Sequence, residues 1–314
     1  MDNFKTFFVV NPNSANGRTG KVWPEVKKLA GNVLGDIDFA LTEKQGHAAD
    51  ITRQAIKDGY EMIVSLGGDG TNNEVTNGFF EDGKQVNPDA VMAVICSGTG
   101  SDFIRTTNIP RDYRKAVTLL AGRDTLATDV GKMVHRDHSG KDVTRYFINI
   151  ASFGVGGEVD DRVNRTTKVF GGKASFLIGS LRGTLAYTNK PVSIKLDDSE
   201  AIERTVFNVA VANGQYFGAG MRTAPEASVD DGLFDVVVLG NFTFTEQLRL
   251  SRTIYDGKHV EMEKVESFRA KRVEATSIDD RVLLDVDGEQ PGMLPATFEI
   301  QPGAIRMKRP GVKS

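Results

Sequence analysis

The sequence predicts an open α/β domain followed by a mostly β domain, a sandwich or partly closed barrel. Three observations carry that prediction. Residues 1–130 alternate short apolar strands with amphipathic helical segments, the pattern of a parallel sheet covered by helices. Beyond Gly131 the texture changes to strands separated by turns. Within the first part, three glycine-rich polar loops each follow a strand, which places a ligand at the carboxyl ends of the sheet.

In chain order, the short apolar runs Thr6–Asn11, Asp38–Leu41, Met62–Leu66, Val91–Cys96 and Ala127–Gly131 are expected to be strands. Amphipathic periodicity between them predicts helices near Lys21–Leu34, Ala48–Asp58, Asn73–Phe80 and Arg114–Ala121. The second part is expected to place strands at Tyr146–Ala151, Val192–Leu196, Val206–Ala212, Phe234–Leu239, Val265–Ala270, Val282–Val286 and Thr297–Gln301. Its helices are expected around Ala174–Tyr187 and Thr245–Tyr255.

At 314 residues with 39% apolar side chains, the chain is long enough for two cores of ordinary size. A net charge of −3 and the lack of zinc-finger or basic-zipper spacing argue against nucleic acid as a partner. The single cysteine, Cys96, excludes an internal disulfide framework, fits a reducing compartment and reads as a small core residue. Met1-Asp2-Asn3-Phe4-Lys5 does not open a basic segment followed by a long apolar run, and no stretch approaches the roughly 20 apolar residues that span a bilayer. A cytoplasmic location is expected, with surface attachment to a membrane left open.

Gly67-Gly68-Asp69-Gly70-Thr71 carries the most chemistry. It follows the apolar run Met62–Leu66 and opens a helix, so its backbone can turn sharply and offer N–H groups to an anion at a helix N-terminus. Asp69 among those amides implies a bound cation, expected to be Mg²⁺ shared with a nucleotide. Asn11-Pro12-Asn13-Ser14 and Ser97-Gly98-Thr99-Gly100-Ser101-Asp102 end two other strands and offer similar groups. Ala15 to Lys21 resembles a Walker A loop but has Val22 where a metal-binding hydroxyl belongs, and reads as an ordinary loop. Gly154-x-Gly156 and Gly98-x-Gly100 lack the last glycine of a dinucleotide fingerprint. His135 and His138 read as solvated residues of a polar turn.

Two further features lie in the second part. Asp285-Val286-Asp287-Gly288-Glu289 follows a strand and could supply a base, Glu289, to an acceptor hydroxyl, with Asp287 orienting it or helping to hold the metal; Asp-Gly is equally a hairpin-turn dipeptide. Residues 162–196 contain no Asp or Glu, while Arg162, Arg165, Lys168 and Lys173 accompany Phe170, Phe176 and Leu177. Such a segment fits peripheral contact with an anionic membrane, and it fits a core helix with a solvated basic face as well.

Together these residues resemble the diacylglycerol kinase catalytic-domain superfamily, most closely its bacterial soluble lipid kinases. The resemblance runs in order along nearly the whole chain. It includes Asn11-Pro12-x-Ser14, Thr42 with Gly46-His47-Ala48, Gly67-Gly68-Asp69-Gly70-Thr71-x-Asn73-Glu74 and Gly98-Thr99-Gly100-x-Asp102-Phe103. It continues through Asp129-x-Gly131, Asn213-Gly214, Asp231-Gly232-Leu233 and Asp287-Gly288-Glu289. Ala15, Asn72, Cys96 and Ser101 stand where the family commonly has Gly, Leu, Pro and Asn; none of these removes a group with a catalytic role.

The resemblance implies an NAD-kinase-like α/β nucleotide domain over residues 1–130, rejoined by a C-terminal strand at 303–314, and a β-sandwich lipid-substrate domain over 131–302. It implies ATP contacts from Asn11, Pro12, Ser14, Thr42, Gly67, Gly68, Asp69, Gly70, Thr71, Asn72, Asn73, Gly98, Thr99 and Asp102. Glu289 becomes the proton acceptor, with Asp287 and Asp69 also catalytic and Asp69 helping to place Mg²⁺. A second, structural Mg²⁺ position maps to Ser228, Asp231 and Leu233, with backbone carbonyls serving at Ser228 and Leu233. The expected activity is phosphorylation of a membrane-lipid hydroxyl, diacylglycerol first, by an enzyme peripheral at the inner face of the membrane. Phosphatidylglycerol, ceramide and sphingoid bases are alternative lipids. A soluble-substrate kinase of the NAD kinase type and a non-enzymatic lipid-binding regulator are the competing readings. Oligomeric state is not fixed, and a homodimer is compatible with everything above.

Overall fold

A computed structural model describes residues 2–97, 102–158 and 187–311. The expected helix Ala174–Tyr187, all but its last residue, and the basic stretch from 162 to 186 lie outside the described residues, as do Gly98, Thr99, Gly100 and Ser101. The chain divides into two units: residues 1–130 with 229–231 and 301–314, and residues 131–228 with 232–300.

The first unit runs β1 (Thr6–Val10), α1 (Ser14–Leu34), β2 (Asp38–Leu41), α2 (His47–Lys57), β3 (Met62–Gly67) and α3 (Asp69–Gly78). A small hairpin, β4 (Phe80–Glu81) and β5 (Lys84–Gln85), precedes β6 (Val91–Cys96), α4 (Asp102–Thr106), α5 (Tyr113–Thr118) and the start of β7 (Leu126–Arg136). β6, β3, β1 and β2 pair in that order, all parallel. Arg306–Lys308, at the end of β17 (Met293–Lys308), add a further parallel strand beside β6. β3 and β6 are buried along their whole length, as expected of apolar runs covered on both faces by helices. Phe8, Trp23, Val26, Met62, Leu66 and Ile95 form the core of this unit.

The order β3-β1-β2 has a functional consequence. From β1 the chain passes to one side for β2 and then to the other for β3, so a topological switch point opens between the carboxyl ends of β1 and β3.

The second unit is a β-sandwich. One layer pairs β11 (Ile202–Val206), β10 (Lys190–Leu196), β15 (Arg272–Ser277) and the first half of β17 in antiparallel order. β7 continues into this unit and pairs with β8 (Asp142–Phe147). The other layer is the antiparallel sheet β14-β13-β12-β9-β16, formed by Val265–Ala270, Phe234–Leu239, Asn208–Ala212, Ile150–Gly154 and Leu284–Val286. Inward residues of both layers, among them Phe147, Phe153, Val236, Phe234 and Phe298, fill the space between them. A helix, α6 (Phe244–Thr253), seats Leu250 on a second apolar cluster with Ile150, Phe207, Phe242 and Ile254.

Several expected elements differ in ways that have physical causes. The run Tyr146–Ala151 is two strands, because the N–H groups of Ile148, Asn149 and Ile150 turn onto the carboxylate of Asp287. The run Val206–Ala212 is also two, since the chain crosses between sheets at Phe207, whose N–H bonds the carbonyl of Leu239 at 2.8 Å. Arg272–Ser277, absent from the expected strands, alternates outward Arg272 and Glu274 with buried Val273 and Ala275. His135 is a correction of another kind. Far from being solvated, it is buried within β7, its Nε2 3.4 Å from the carbonyl of Pro291, and burial lowers its pKa; His138 is exposed, as expected. Gly131 has no room for a side chain, because the Phe147 ring occupies the position of a Cβ.

Candidate active site

At the switch point the first unit gathers its polar residues. Gly68 is extended (φ −110°, ψ −170°) and α3 begins at Asp69, so the first N–H groups of the helix point out of the turn without an intrahelical partner. A Cβ on Gly67 would overlap Thr71, whereas one on Gly68 would meet nothing within 4 Å among the described residues. The turn is therefore tight on its protein side and open on the other. Asn11 spans the switch point: its N–H bonds the Leu66 carbonyl at 3.0 Å, and its Nδ2 donates to Thr71 Oγ1 at 3.0 Å.

Asn11 also shapes its own loop. Its Oδ1 accepts from the N–H of Asn13 at 3.1 Å, and its carbonyl accepts from Ser14 Oγ at 3.1 Å. Ala15, Asn16 and Gly17 follow with φ of 53°, 57° and 79°, so the regular part of α1 starts only after them. Ser14, Thr19 and Ser97 are joined through their hydroxyls, with Thr19 fully buried in the middle. That chain of hydroxyls ties the ends of β1 and β6. Thr19 lies in the stretch read as an ordinary loop, and only its spatial partners reveal its role.

Other predicted nucleotide residues divide by the direction of their side chains. Thr42 is buried, its N–H on the Val10 carbonyl at 2.8 Å. Asn72 turns into the protein and accepts from Ser65 Oγ at 2.7 Å, so its side chain is a packing group. Asn73 is buried too, and its carbonyl accepts from Asn77 Nδ2 at 2.8 Å. Glu74 reaches back to the N–H groups of Gly46 and Ala48 at 2.8 and 3.0 Å, which fixes the loop before α2 against α3. Asp102 is buried and lies 3.5 Å from Arg105.

In the second unit, Val286 and Glu289 close a two-residue hairpin: the Val286 N–H bonds the Glu289 carbonyl at 2.8 Å and the reverse bond is 3.0 Å. Asp287 and Gly288 between them have φ of 50° and 85°, the left-handed pair that a type I′ turn needs. Both aspartates anchor this turn. Asp285, 1% exposed, accepts from the Gly288 N–H at 3.0 Å. Asp287 accepts from the N–H groups of Ile148, Asn149 and Ile150 at 3.3, 3.2 and 3.0 Å. Asn213 completes the frame by donating to the Ile148 carbonyl at 2.8 Å. Glu289 stands at the exit, half-buried and ion-paired with Arg145 of β8. Arg145 escaped the sequence reading because its partner lies 144 residues away.

The diacylglycerol kinase catalytic domain matches residues 5–133, and the YegS C-terminal NAD kinase beta sandwich-like domain matches residues 149–309. A diacylglycerol kinase of Staphylococcus carnosus is 31% identical over 292 residues, covering 92% of this chain and 90% of that protein. The chain belongs to the diacylglycerol kinase family. A second family relative, the diacylglycerol kinase of Bacillus subtilis, is 27% identical over 81% of this chain and 79% of its own length. The crystal structure of a diacylglycerol kinase from Bacillus anthracis shares the fold, with a TM-score of 0.71 at 20% identity over 99% of this chain and 98% of that one.

Membership of the diacylglycerol kinase family makes the protein a transferase of the lipid-kinase class. Among the described residues no three His, Cys, Asp or Glu side chains converge as a metal site. A magnesium ion that shares its coordination with phosphate oxygens needs only one or two carboxylates, and Asp69, at the mouth of the open glycine turn, offers a hard oxygen donor of that kind. The Ser228, Asp231 and Leu233 positions lie in the segment entering β13, with Asp231 exposed and the other two half-buried.

Proposed function

We propose that the protein transfers the γ-phosphoryl group of ATP to the hydroxyl of a membrane lipid, with diacylglycerol the leading substrate and phosphatidic acid the product. The observation that carries this reading is the pairing, in one chain of this family, of an open glycine turn at a sheet switch point with a half-buried glutamate on an anchored hairpin.

The turn amides of Gly68, Asp69 and Gly70 hold the polyphosphate oxygens, supported by Asn11, Ser14 and Thr71 and by Thr42, Asn73, Gly98 and Thr99 of the neighbouring loops. Bound Mg²⁺ at Asp69 supplies charge neutralisation of those oxygens. Glu289 takes the proton of the acceptor hydroxyl, which raises the nucleophilicity of its oxygen as the bond to phosphorus forms. Asp287 acts through Glu289 as a positioning residue, because its carboxylate is committed to three amides. Ser228, Asp231 and Leu233 form a structural cation position. The basic stretch 162–196 contacts the anionic inner face of the membrane, where the substrate resides.

Radiolabelled ATP incubated with a panel of lipids in mixed micelles tests the reading, with Glu289→Ala as the control. Labelled phosphatidic acid from diacylglycerol, lost in the control, is the expected result. Label on a soluble acceptor and on no lipid would overturn it.

A further inference from the structure

Helix α6 is amphipathic twice over. Its inner face carries Leu250, with Ile254 just beyond, into the apolar cluster of the second sheet. Its outer face carries Phe244 and Leu248, one turn apart, continued by Tyr255 two residues past its end; these are 56%, 49% and 57% exposed. At 3.6 residues per turn Phe244 and Leu248 fall within about 40° of one another. An ordinary surface helix has one apolar face, which is already used here.

Charge singles out the occupant. Arg252 lies one turn after Leu248 on the same stripe and Arg249 lies at its flank; both are exposed, and among the described residues neither forms an ion pair. Two carboxylates near the helix are engaged elsewhere. Glu246 is bound by Lys264 at 2.8 Å and by the Thr243 N–H at 2.8 Å, and Asp256 lies 3.6 Å from Lys258. A two-fold pairing of this stripe with its own copy would bring unneutralised arginines together, whereas an anionic lipid surface neutralises them and receives the apolar side chains. Asn189, inside the acid-free stretch 162–196, donates to Asn241 Oδ1 at 2.6 Å and to the Phe242 carbonyl at 3.0 Å, immediately before α6.

We propose that α6 is a membrane-docking helix: Phe244, Leu248 and Tyr255 enter the headgroup–acyl boundary of an anionic bilayer while Arg249 and Arg252 meet its phosphates. This deepens the lipid-kinase reading and rests on it for the choice of a lipid surface as partner.

The test is sedimentation of the full chain with vesicles of phosphatidylglycerol or of phosphatidylcholine. Wild type binds the anionic vesicles preferentially and releases with salt. The triple variant Phe244→Ser/Leu248→Ser/Tyr255→Ser loses at least about tenfold in partitioning. Arg249→Gln/Arg252→Gln, which removes no ion pair or side-chain hydrogen bond among the described residues, loses about fivefold per arginine on anionic vesicles only. Thermal unfolding of both variants verifies their folding. Wild-type binding by either folded variant, equal binding to both lipids, or a dimer by light scattering that the triple variant abolishes without loss of vesicle binding would overturn the proposal. Phosphorylation of a short-chain diacylglycerol below its micelle threshold keeps the two readings apart. It should survive in both variants, and its absence in wild type would remove the kinase reading while the vesicle data still judge the helix.

Discussion

The glycine turn of the first unit and the Asp-Gly hairpin of the second each hold one half-buried acid, Asp69 and Glu289, by opposite means. In Gly67–Thr71 three of the five residues have no side chain, so the backbone can turn sharply, and the one carboxylate among them, Asp69, begins a helix. In Asp285–Glu289 two buried carboxylates face inward and hold backbone N–H groups, leaving Glu289 at the rim. On the proposed reading one site lends its amides to a ligand; the other spends its acids on its own amides. An acid-rich motif is therefore not an acid-rich site: Asp285 and Asp287 hold backbone amides, whereas Glu289 pairs with Arg145.

The largest effects should come from the two half-buried acids. Glu289→Gln and Asp69→Asn are each expected to lower kcat by roughly 10²–10⁴ with little change in the midpoint of urea unfolding. Wild-type turnover in either purified variant would break the comparison at its root. Asp287→Ala should behave differently, since it leaves three buried amides without their acceptor. A loss of about 1–3 kcal/mol in unfolding free energy is expected, with turnover falling because Glu289 is no longer held. If stability were unchanged while turnover vanished, Asp287 would belong with the chemistry.

The glycines sharpen the other half. Gly67→Ala must displace Thr71 and with it the bond from Asn11, so a stability loss of about 1–3 kcal/mol and weaker nucleotide binding are expected, by urea titration and by calorimetry with ATP. Gly68→Ala has open space for its methyl group and should keep wild-type stability while crowding whatever the turn binds.

What could be read from the sequence follows the same division. The glycine turn, β3, β6 and the parallel first unit were legible because their signals are local: an apolar run, then residues without side chains, then a helix. The hairpin was legible as a turn, but the task of Asp287 was not, for its partners sit 137 to 139 residues earlier. The crossing at Phe207 and the break at Ile148–Asn149 were hidden for the same reason, since an apolar run does not say which sheet each half joins. Thr19 carried no local mark at all.

A pH titration separates the regions more gently. His135 and His259, both in the second unit, are buried beside the carbonyls of Pro291 and Thr223, and burial lowers the pKa of each from 6.5. The unfolded chain binds those protons near pH 6.5 and the folded chain does so only at lower pH, so stability is fully present above 6.5 and falls as the pH drops below it. Amide exchange in β7 and in the Lys258–Glu261 turn should quicken between pH 6.5 and 5, relative to β1 and β3. Equal acceleration everywhere would assign the effect to something other than these rings.

The smallest expected effect lies at Ala15, in the loop that leads from β1 to the regular part of α1. Its φ of 53° and ψ of 40° are left-handed, a conformation in which the Cβ crowds the following carbonyl and which glycine adopts without that cost. Ala15→Gly relieves the crowding and enlarges the freedom of the unfolded chain, two changes of opposite sign, so the net gain should be no more than about 1 kcal/mol. Nucleotide affinity should stay within twofold or so, because the contacts of Asn11 and Ser14 are made by residues before the left-handed run. A large loss of affinity in Ala15→Gly would mean that the methyl group itself shapes the turn, and that the first unit, like the second, depends on a side chain to hold its backbone in place.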